Sequence, residues 1–406
     1  MSRISARLRR LCALAAGILF FIAGTLKLMD PVGAGLVVDE YFHFFRVGFL
    51  AFSARFLGVA LALLETVLGA ALITGLARRL TALATVAMTA FFTVITLILV
   101  LFNPVMDCGC FGEAIPLTHT QTFAKNLLLL LLEGAAFLPL RTLSEPGGTK
   151  ARPVAFCAAV AASALMTLYA LLYIPVRDFT PFRLSARLYE AVREEQGASE
   201  EYRSVFVYEK EGQEAEFDLE SLPDSTWTYV RTETVLVSEA DAVYPMLTMT
   251  DAEGQVCDSL AVGEAVMAVS VYRPDRMSAA AWTKAGECLG DAARTGFTPL
   301  LLVASTPERF VLPDGIPGDA RQPLLFSARF SDYKTLISMN RSNGGATYFH
   351  NGTLVAKWSW RGLPETRQLE ELAGLHPTET ELETTARSRQ YFWGFYLATF
   401  AMLFLL

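Results

Sequence analysis

Six long apolar runs leave this chain few ways to fold in water. They cover 11–29, 56–76, 80–102, 123–140, 153–174 and 391–406, and roughly 20 apolar residues in a helix are what a bilayer core requires. Backbone groups in lipid must be bonded within their own segment, so a membrane all-α bundle is the expected class. Composition agrees: 53% of residues are hydrophobic and 18% charged, with a mean hydropathy of +0.37. The start, MSRISARLRR before LCALAAGILFFIAGTLKLM, has the layout of a signal peptide. It lacks a small-x-small cleavage pattern ahead of the next polar loop, so it reads as a retained first helix. A net charge of −7 argues against a nucleic-acid partner, which calls for a basic face.

Basic residues set the expected orientation. Arg3, Arg7, Arg9 and Arg10 precede the first run, Arg78 and Arg79 follow the second, and Arg141, Lys150 and Arg152 lie between the fourth and fifth. The positive-inside rule then predicts a multi-pass protein of a bacterial inner membrane with a cytoplasmic N-terminus. Counting crossings puts 103–112 and the region from 176 to about 385 on the outer, periplasmic side.

The loop 103–112 reads NPVMDCGCFG, and only here are two of the six cysteines separated by a single residue. Gly109 opens turn geometries closed to other residues, which lets the Cys108 and Cys110 sulfurs approach one another. A ring that small would be strained, and strained disulfides exchange readily. The plainer alternative is a turn whose cysteines fill space. A third is metal binding by Cys108, Cys110 and His119, two thiolates and an imidazole suiting zinc or copper(I).

Two charges fall well inside the runs. Lys27, near the outer end of the first, is expected to snorkel to the headgroups. Glu65 lies near the middle of the second, deeper than Lys27 by several ångströms at about 1.5 Å per residue, so a direct pair would need a shifted or tilted helix. Glu65 reads either as a partner for a proton or a quinone ring, or as a neutral acid bonded to a neighbouring helix. Glu133 reads the same way. The loop 30–54 is too polar to span and too aromatic to be solvated throughout, and is expected along the outer interface, with His43 an interfacial residue.

The segment GILFFIAGTLKLMDPVG, the four-helix pattern with Glu65 in its second helix, and DCGCFGEAIPLTHTQTFAKNLLLL with Lys125 and Asn126 resemble the DoxX superfamily, in particular its methylamine-utilisation MauE-type branch. The resemblance covers roughly the first third of the chain. It implies a four-helix membrane bundle over 1–142, arranged like quinone-linked disulfide-forming membrane proteins, and a role in thiol chemistry or in maturing a partner. In MauE-type relatives the process is methylamine utilisation through maturation of the dehydrogenase.

Beyond a cytoplasmic loop at 143–152 and a fifth helix at 153–175, composition changes. The segment 176–263 reads as β-rich, with RSVFVYEKEGQEAEFDLESL and TWTYVRTETVLV as strands. From 264 the order is strand 265–272, helix 277–291, strand 298–304, a short strand 323–328, helix 332–341, a hairpin of 346–349 and 353–358, and helix 365–375. Over 264–378 this resembles the thioredoxin fold. The Cys-x-x-Cys expected at the first helix start is replaced by Arg273-Pro274-Asp275-Arg276-Met277-Ser278, and the cis-proline before the hairpin by Gly344-Gly345-Ala346. The domain is therefore expected to bind or position rather than react, with Cys257 and Cys288 buried or unpaired and Cys12 and Cys157 small hydrophobes in the spans. A sixth helix at 388–406 closes the chain.

Together these features point to extracytoplasmic thiol–disulfide chemistry or maturation of a client protein, with Cys108 and Cys110 cycling, Asp107 shaping the local proton balance, and Glu65 or a bound quinone passing electrons onward. The other class is a membrane scaffold or assembly factor presenting a thioredoxin-like binding domain, its thiol pair a structural link. Membrane lipid is a partner in either case.

Overall fold

The computed structural model describes residues 6–104, 108–138, 151–189, 191, 202–210, 213–218, 228–236 and 244–405, with 202–236 described by backbone alone. Its N-terminal part is a helical bundle: α1 (Ala6–Met29), α2 (Pro31–Phe44), α3 (Ala54–Thr74), α4 (Arg78–Phe102), α5 (His119–Phe137) and α6 (Ala151–Leu172). Among the described residues, four helical stretches are long and apolar enough to cross a membrane: Ala6–Met29, Gly48–Thr74, Arg78–Phe102 and Ala151–Leu172. The chain is thus a multi-pass membrane protein.

Antiparallel α1 and α3 pack almost backbone to backbone. A Cβ on Gly24 would sit 2.6 Å from the Thr66 nitrogen, and one on Gly69 2.4 Å from that of Phe21. Small residues at such a crossing allow the dispersion and hydrogen-bond contacts that hold helices together in lipid. Helix α5 is opened by a capping box in which Thr118 accepts from the Gln121 N–H and the Gln121 side chain bonds back to Thr118, satisfying two otherwise orphaned donors.

The loop 30–54 folds into a helix and a 3₁₀ turn. Asp30 accepts a hydrogen bond from the Gly33 N–H, Pro31 takes the first helical position, and α2 runs to Phe44 before a 3₁₀ turn at Gly48–Ser53. Asp followed by Pro is a strong start signal for a helix, masked in the sequence by the aromatic residues that follow.

Beyond α6, β2 (Tyr202–Lys210), β3 (Gln213–Asp218) and β4 (Thr228–Leu236) form an antiparallel sheet in the order β3-β2-β4. The α/β domain follows: β5 (Val266–Val271), α7 (Ala279–Arg294), β6 (Thr298–Val303), α8 (Gly318–Phe326), β7 (Ala328–Phe330), α9 (Tyr333–Met339), β8 (Gly345–His350), β9 (Thr353–Trp358) and α10 (Thr366–Gly374). Its mixed sheet has the order β7-β6-β5-β8-β9, with β7, β6 and β5 parallel and β8 and β9 antiparallel. Central β5 is buried throughout. Met267, Val269 and Val271 face α7 and α8, while Val266 and Ala268 face α9 and α2, the two-residue alternation of a strand covered on both sides. The strand expected at 323–328 is mostly the end of α8, with Pro323 inside the helix; only β7 is extended.

The final helix, α11 (Pro377–Leu405), starts on the α/β domain, where Thr384 Oγ1 donates to the Val355 carbonyl, and continues along α6 and α3. Deep in the bundle the Tyr396 and Thr25 hydroxyls are 2.9 Å apart.

Candidate functional site

Helix α2 is the platform of the site. The thiol loop lies on it: the Tyr41 hydroxyl donates to the Cys108 carbonyl at 3.1 Å, and Gly109, at φ +62, is pressed against Val37. A Cβ there would fall 2.3 Å from Val37 Cγ1, so glycine is needed both for its left-handed backbone and for lack of a side chain. The short strand β1 (Cys110–Glu113) follows. Phe111 inserts among Leu26, Met29 and Met166, with Lys125 Nζ 5.1 Å from its ring centroid, an attractive placement for a cation.

Cys108 and Cys110 are both thiols here. Cys108 is 7% exposed; Cys110 is half-buried. Both line a cavity of about 310 Å³ together with Glu113, Leu117, Phe179 and Ser338. The last of these belongs to α9, so the α/β domain supplies part of the wall. His119 hydrogen-bonds Asn103 at 3.2 Å and does not line this cavity. Asp107 lies outside the described residues.

A buried ion cluster holds the two parts together beside the cavity. Arg341, its side chain 2% exposed, reaches Asp30 Oδ2 through Nε at 2.9 Å and Nη2 at 2.8 Å, and reaches Glu113 Oε1 through Nη2 at 2.5 Å. Lys357 donates to Asp178 Oδ2 at 2.6 Å close by. Burial disfavours the charged Arg341, but Asp30 and Glu113 outweigh it and raise its pKa. Glu113 shares that cation with Asp30. Burial, reinforced by the Asp30 charge, outweighs the pull of Arg341, and the Glu113 carboxyl titrates above the usual range. Burial lowers Lys357 against the pull of Asp178. Burial, then the neighbouring Cys110 and Cys108, pushes the Tyr41 hydroxyl upward. Around the cluster, Val32 and Leu36 of α2 pack with Leu336 and Ile337 of α9, and Lys334 meets Glu40 at 3.3 Å on the rim.

Lys27 does not snorkel. Its Nζ donates to both Glu65 oxygens at 2.7 Å and lies 5.9 Å from the Phe92 ring centroid. Side chains lean toward the N-terminus of their own helix. In antiparallel α1 and α3 this tilts Lys27 inward and Glu65 outward, closing the depth gap that separates their Cα atoms. The pair is just beneath the thiol loop: a Cβ on Gly112 would be 3.7 Å from Lys27 Cγ. Glu133, by contrast, accepts from the Thr89 hydroxyl at 2.9 Å, and Asn126 donates to Thr96 at 3.2 Å, making a polar seam between α4 and α5.

Cys108 and Cys110 thus line one cavity, with the Lys27–Glu65 pair beneath Gly112. Sequence reading missed Tyr41, Asp30, Glu113 and Arg341. The Asp30-Pro31 start signal would have revealed α2 and with it Tyr41; nothing local marks Arg341. Cys288 and Cys257 are not joined. Cys288 is in the α/β core, its pKa pushed up to about 12 by burial, and the Cys257 thiol is 3.6 Å from the Met249 carbonyl.

No curated protein and no solved structure matches the chain. Residues 202–239 match a model described as Domain of unknown function (DUF8463). Residues 5–141 match the family model described as Methylamine utilisation protein MauE, so it is to this family that the helical portion bearing the thiol loop is similar.

Proposed function

We propose that this protein carries out thiol–disulfide exchange with extracytoplasmic client proteins, as a step in their maturation, through Cys108 and Cys110. The observation that carries this reading is the shared cavity: two thiols one residue apart line a space to which the α/β domain adds Ser338. Cys110, the more exposed, meets the client first. Its thiolate attacks one sulfur of a client disulfide, and the other client sulfur departs and takes a proton. Cys108 then attacks the Cys110 sulfur of the mixed disulfide and releases the second client thiol. One client disulfide becomes two thiols as one Cys108–Cys110 disulfide forms; the reverse run oxidises a client dithiol. We assign Asp107, next to Cys108 in sequence, to the proton balance of the thiol loop.

Both Glu65 oxygens are taken by Lys27, which leaves that carboxylate poorly disposed toward a quinone ring, so we assign the electron acceptor no residue. The Lys27–Glu65 pair instead fixes the floor beneath Gly112. We count α5 and α11 as further crossings, since α5 packs along α1 and α4 and α11 along α6. With Arg9, Arg10 and Arg78 at the bundle end opposite the thiol loop, this supports a cytoplasmic N-terminus and a periplasmic α/β domain. The strand order and directions of the larger sheet support a thioredoxin-like domain. At the start of α7, where a reactive member carries its thiols, Ser278 caps the helix, so its task here is to wall and present the cavity.

Trapping thiols with a mass-shifting alkylating agent in intact membranes tests this. Cys108 and Cys110 should be caught in both oxidised and reduced forms, with impermeant reagents reaching them from outside. A pair always oxidised would make it the structural link of a scaffold, and labelling only from the cytoplasmic side would overturn the orientation.

A further inference from the structure

Five charged side chains are enclosed where the α/β domain meets the bundle: Arg341 and Lys357 against Asp30, Asp178 and Glu113. They form one network, since Asp178 acts on both Arg341 and Glu113, and Arg341 and Asp30 act on Lys357. Two cations face three carboxyl groups, and an enclosed set of this kind is neutral only when one carboxyl holds a proton. Burial lowers Lys357, which deepens the excess of carboxyl groups rather than correcting it.

Hydrogen bonds single out which one. Asp30 accepts on both oxygens, from the Gly33 N–H at Oδ1 and from Arg341 at Oδ2, and so does Asp178, from the Thr180 N–H at 2.9 Å and from Lys357 at 2.6 Å. Donors on both oxygens hold a carboxyl group ionised. Among the described residues Glu113 meets a donor only through Oε1, which bonds Arg341, so Oε2 is left to carry the proton. The Glu113 side chain is also the most open of the three, 27% exposed against 7% for Asp30 and 16% for Asp178, and it alone of them lines the cavity with Cys108 and Cys110. The other charged or titratable groups nearby are Tyr41, bonded to the Cys108 carbonyl, Lys27 beneath Gly112 and Lys125 over Phe111. Lys27 is committed to Glu65.

We propose that Glu113 is the proton donor for thiol–disulfide exchange at Cys108 and Cys110, a role that rests on the exchange reaction proposed above. As the Cys110 thiolate attacks the client disulfide and its S–S bond breaks, the departing client sulfur takes the proton from Glu113 Oε2. Glu113, now a carboxylate beside Arg341, accepts the Cys108 proton while that sulfur displaces the second client sulfur from Cys110. The second client sulfur takes from water the proton that Cys110 lost on ionising. One client disulfide and two protein thiols thus give two client thiols and the Cys108–Cys110 disulfide, with Glu113 protonated again.

Full-length protein in detergent tests this with two model disulfides. In bis(hydroxyethyl) disulfide the leaving thiolate is strongly basic and gains from an acid; in dipyridyl disulfide it is weakly basic and departs without one. Formation of the Cys108–Cys110 disulfide is read from the mass of the loop peptide, and the ratio of the first rate to the second reports the proton donor. In the wild type that ratio should fall as pH rises through the Glu113 pKa. Glu113→Gln should lower the ratio about tenfold, less than the roughly 10²-fold of a typical positioned acid because a thiolate is already a fair leaving group, and should flatten its pH dependence. Asp30→Asn, which still caps α2 but removes a charge that raises the Glu113 pKa, should move the fall to lower pH. A ratio unchanged in Glu113→Gln, whether both rates drop or neither does, would overturn the proton-donor role while exchange itself stands. If the wild type forms no Cys108–Cys110 disulfide with either probe, the exchange reaction fails and takes this role with it.

Discussion

The membrane bundle and the α/β domain bury their reactive and charged groups in opposite ways. In the domain's core, Cys288 sits among Trp282, Leu289 and Leu301, and burial pushes its thiol pKa up to about 12. In the bundle, polar groups in equally dry surroundings come as matched sets, Lys27 with Glu65 and Arg341 with Asp30 and Glu113, and the two thiols stand at a cavity rather than in a core. Low dielectric either suppresses an ionisable group or holds it beside its counter-charge. Here the α/β domain does the former with Cys288 and lends the latter Arg341 and Lys357.

The largest expected effect breaks the contrast outright. Replacing Cys108 and Cys110 with serine should abolish exchange with client thiols, read by alkylation of envelope proteins, while Cys288→Ser leaves it intact; loss of exchange in the Cys288 variant would show the domain to be a reactive partner after all. Next comes Arg341→Ala, which strands two carboxylates and should cost about 3–5 kcal/mol of interdomain docking, visible as protease access to α2. Arg341→Met with Asp30→Asn and Glu113→Gln should restore most of it. Gly109→Ala, strained at a positive φ and forced onto Val37, should cost about 1–3 kcal/mol and expose Cys108 to alkylation.

The smallest effect is in pH. Glu113 has a folded-state pKa above its unfolded one, so the fold favours its protonated form. Its contribution to docking is full below the unfolded carboxylate pKa and is lost as pH rises through the raised folded value. Glu113→Gln should flatten that slope in a melting series without moving the acid limb. A slope unchanged by the substitution would place the titrating group elsewhere.

Four of the six expected spans were legible because 3.6-residue helices in lipid leave long apolar runs, and the mixed sheet because β5 and β6 are short apolar strands bounded by turn residues. Gly109 was legible too, since Cys-Gly-Cys asks for a left-handed residue. Arg341 was not: its partners are 311 and 228 positions away, and nothing in an arginine after Met339-Asn340 says which surface it will meet. The Lys27–Glu65 pair was misjudged for a subtler reason, since depth was counted from Cα positions while both side chains lean across the gap. The stretch from Pro323, read as a strand, belongs mostly to α8, which carries Pro323 between the buried Ala320 and Leu324.

Helix α11 is one unbroken rod of about 44 Å, rooted at one end under β9 and at the other against Thr25 of the first span. With Arg341 bolted to Asp30, the α/β domain is mounted at two points. A body so fixed cannot swivel freely over the thiols; any opening has to be a hinge about the rod, with the salt cluster as the catch that lets go.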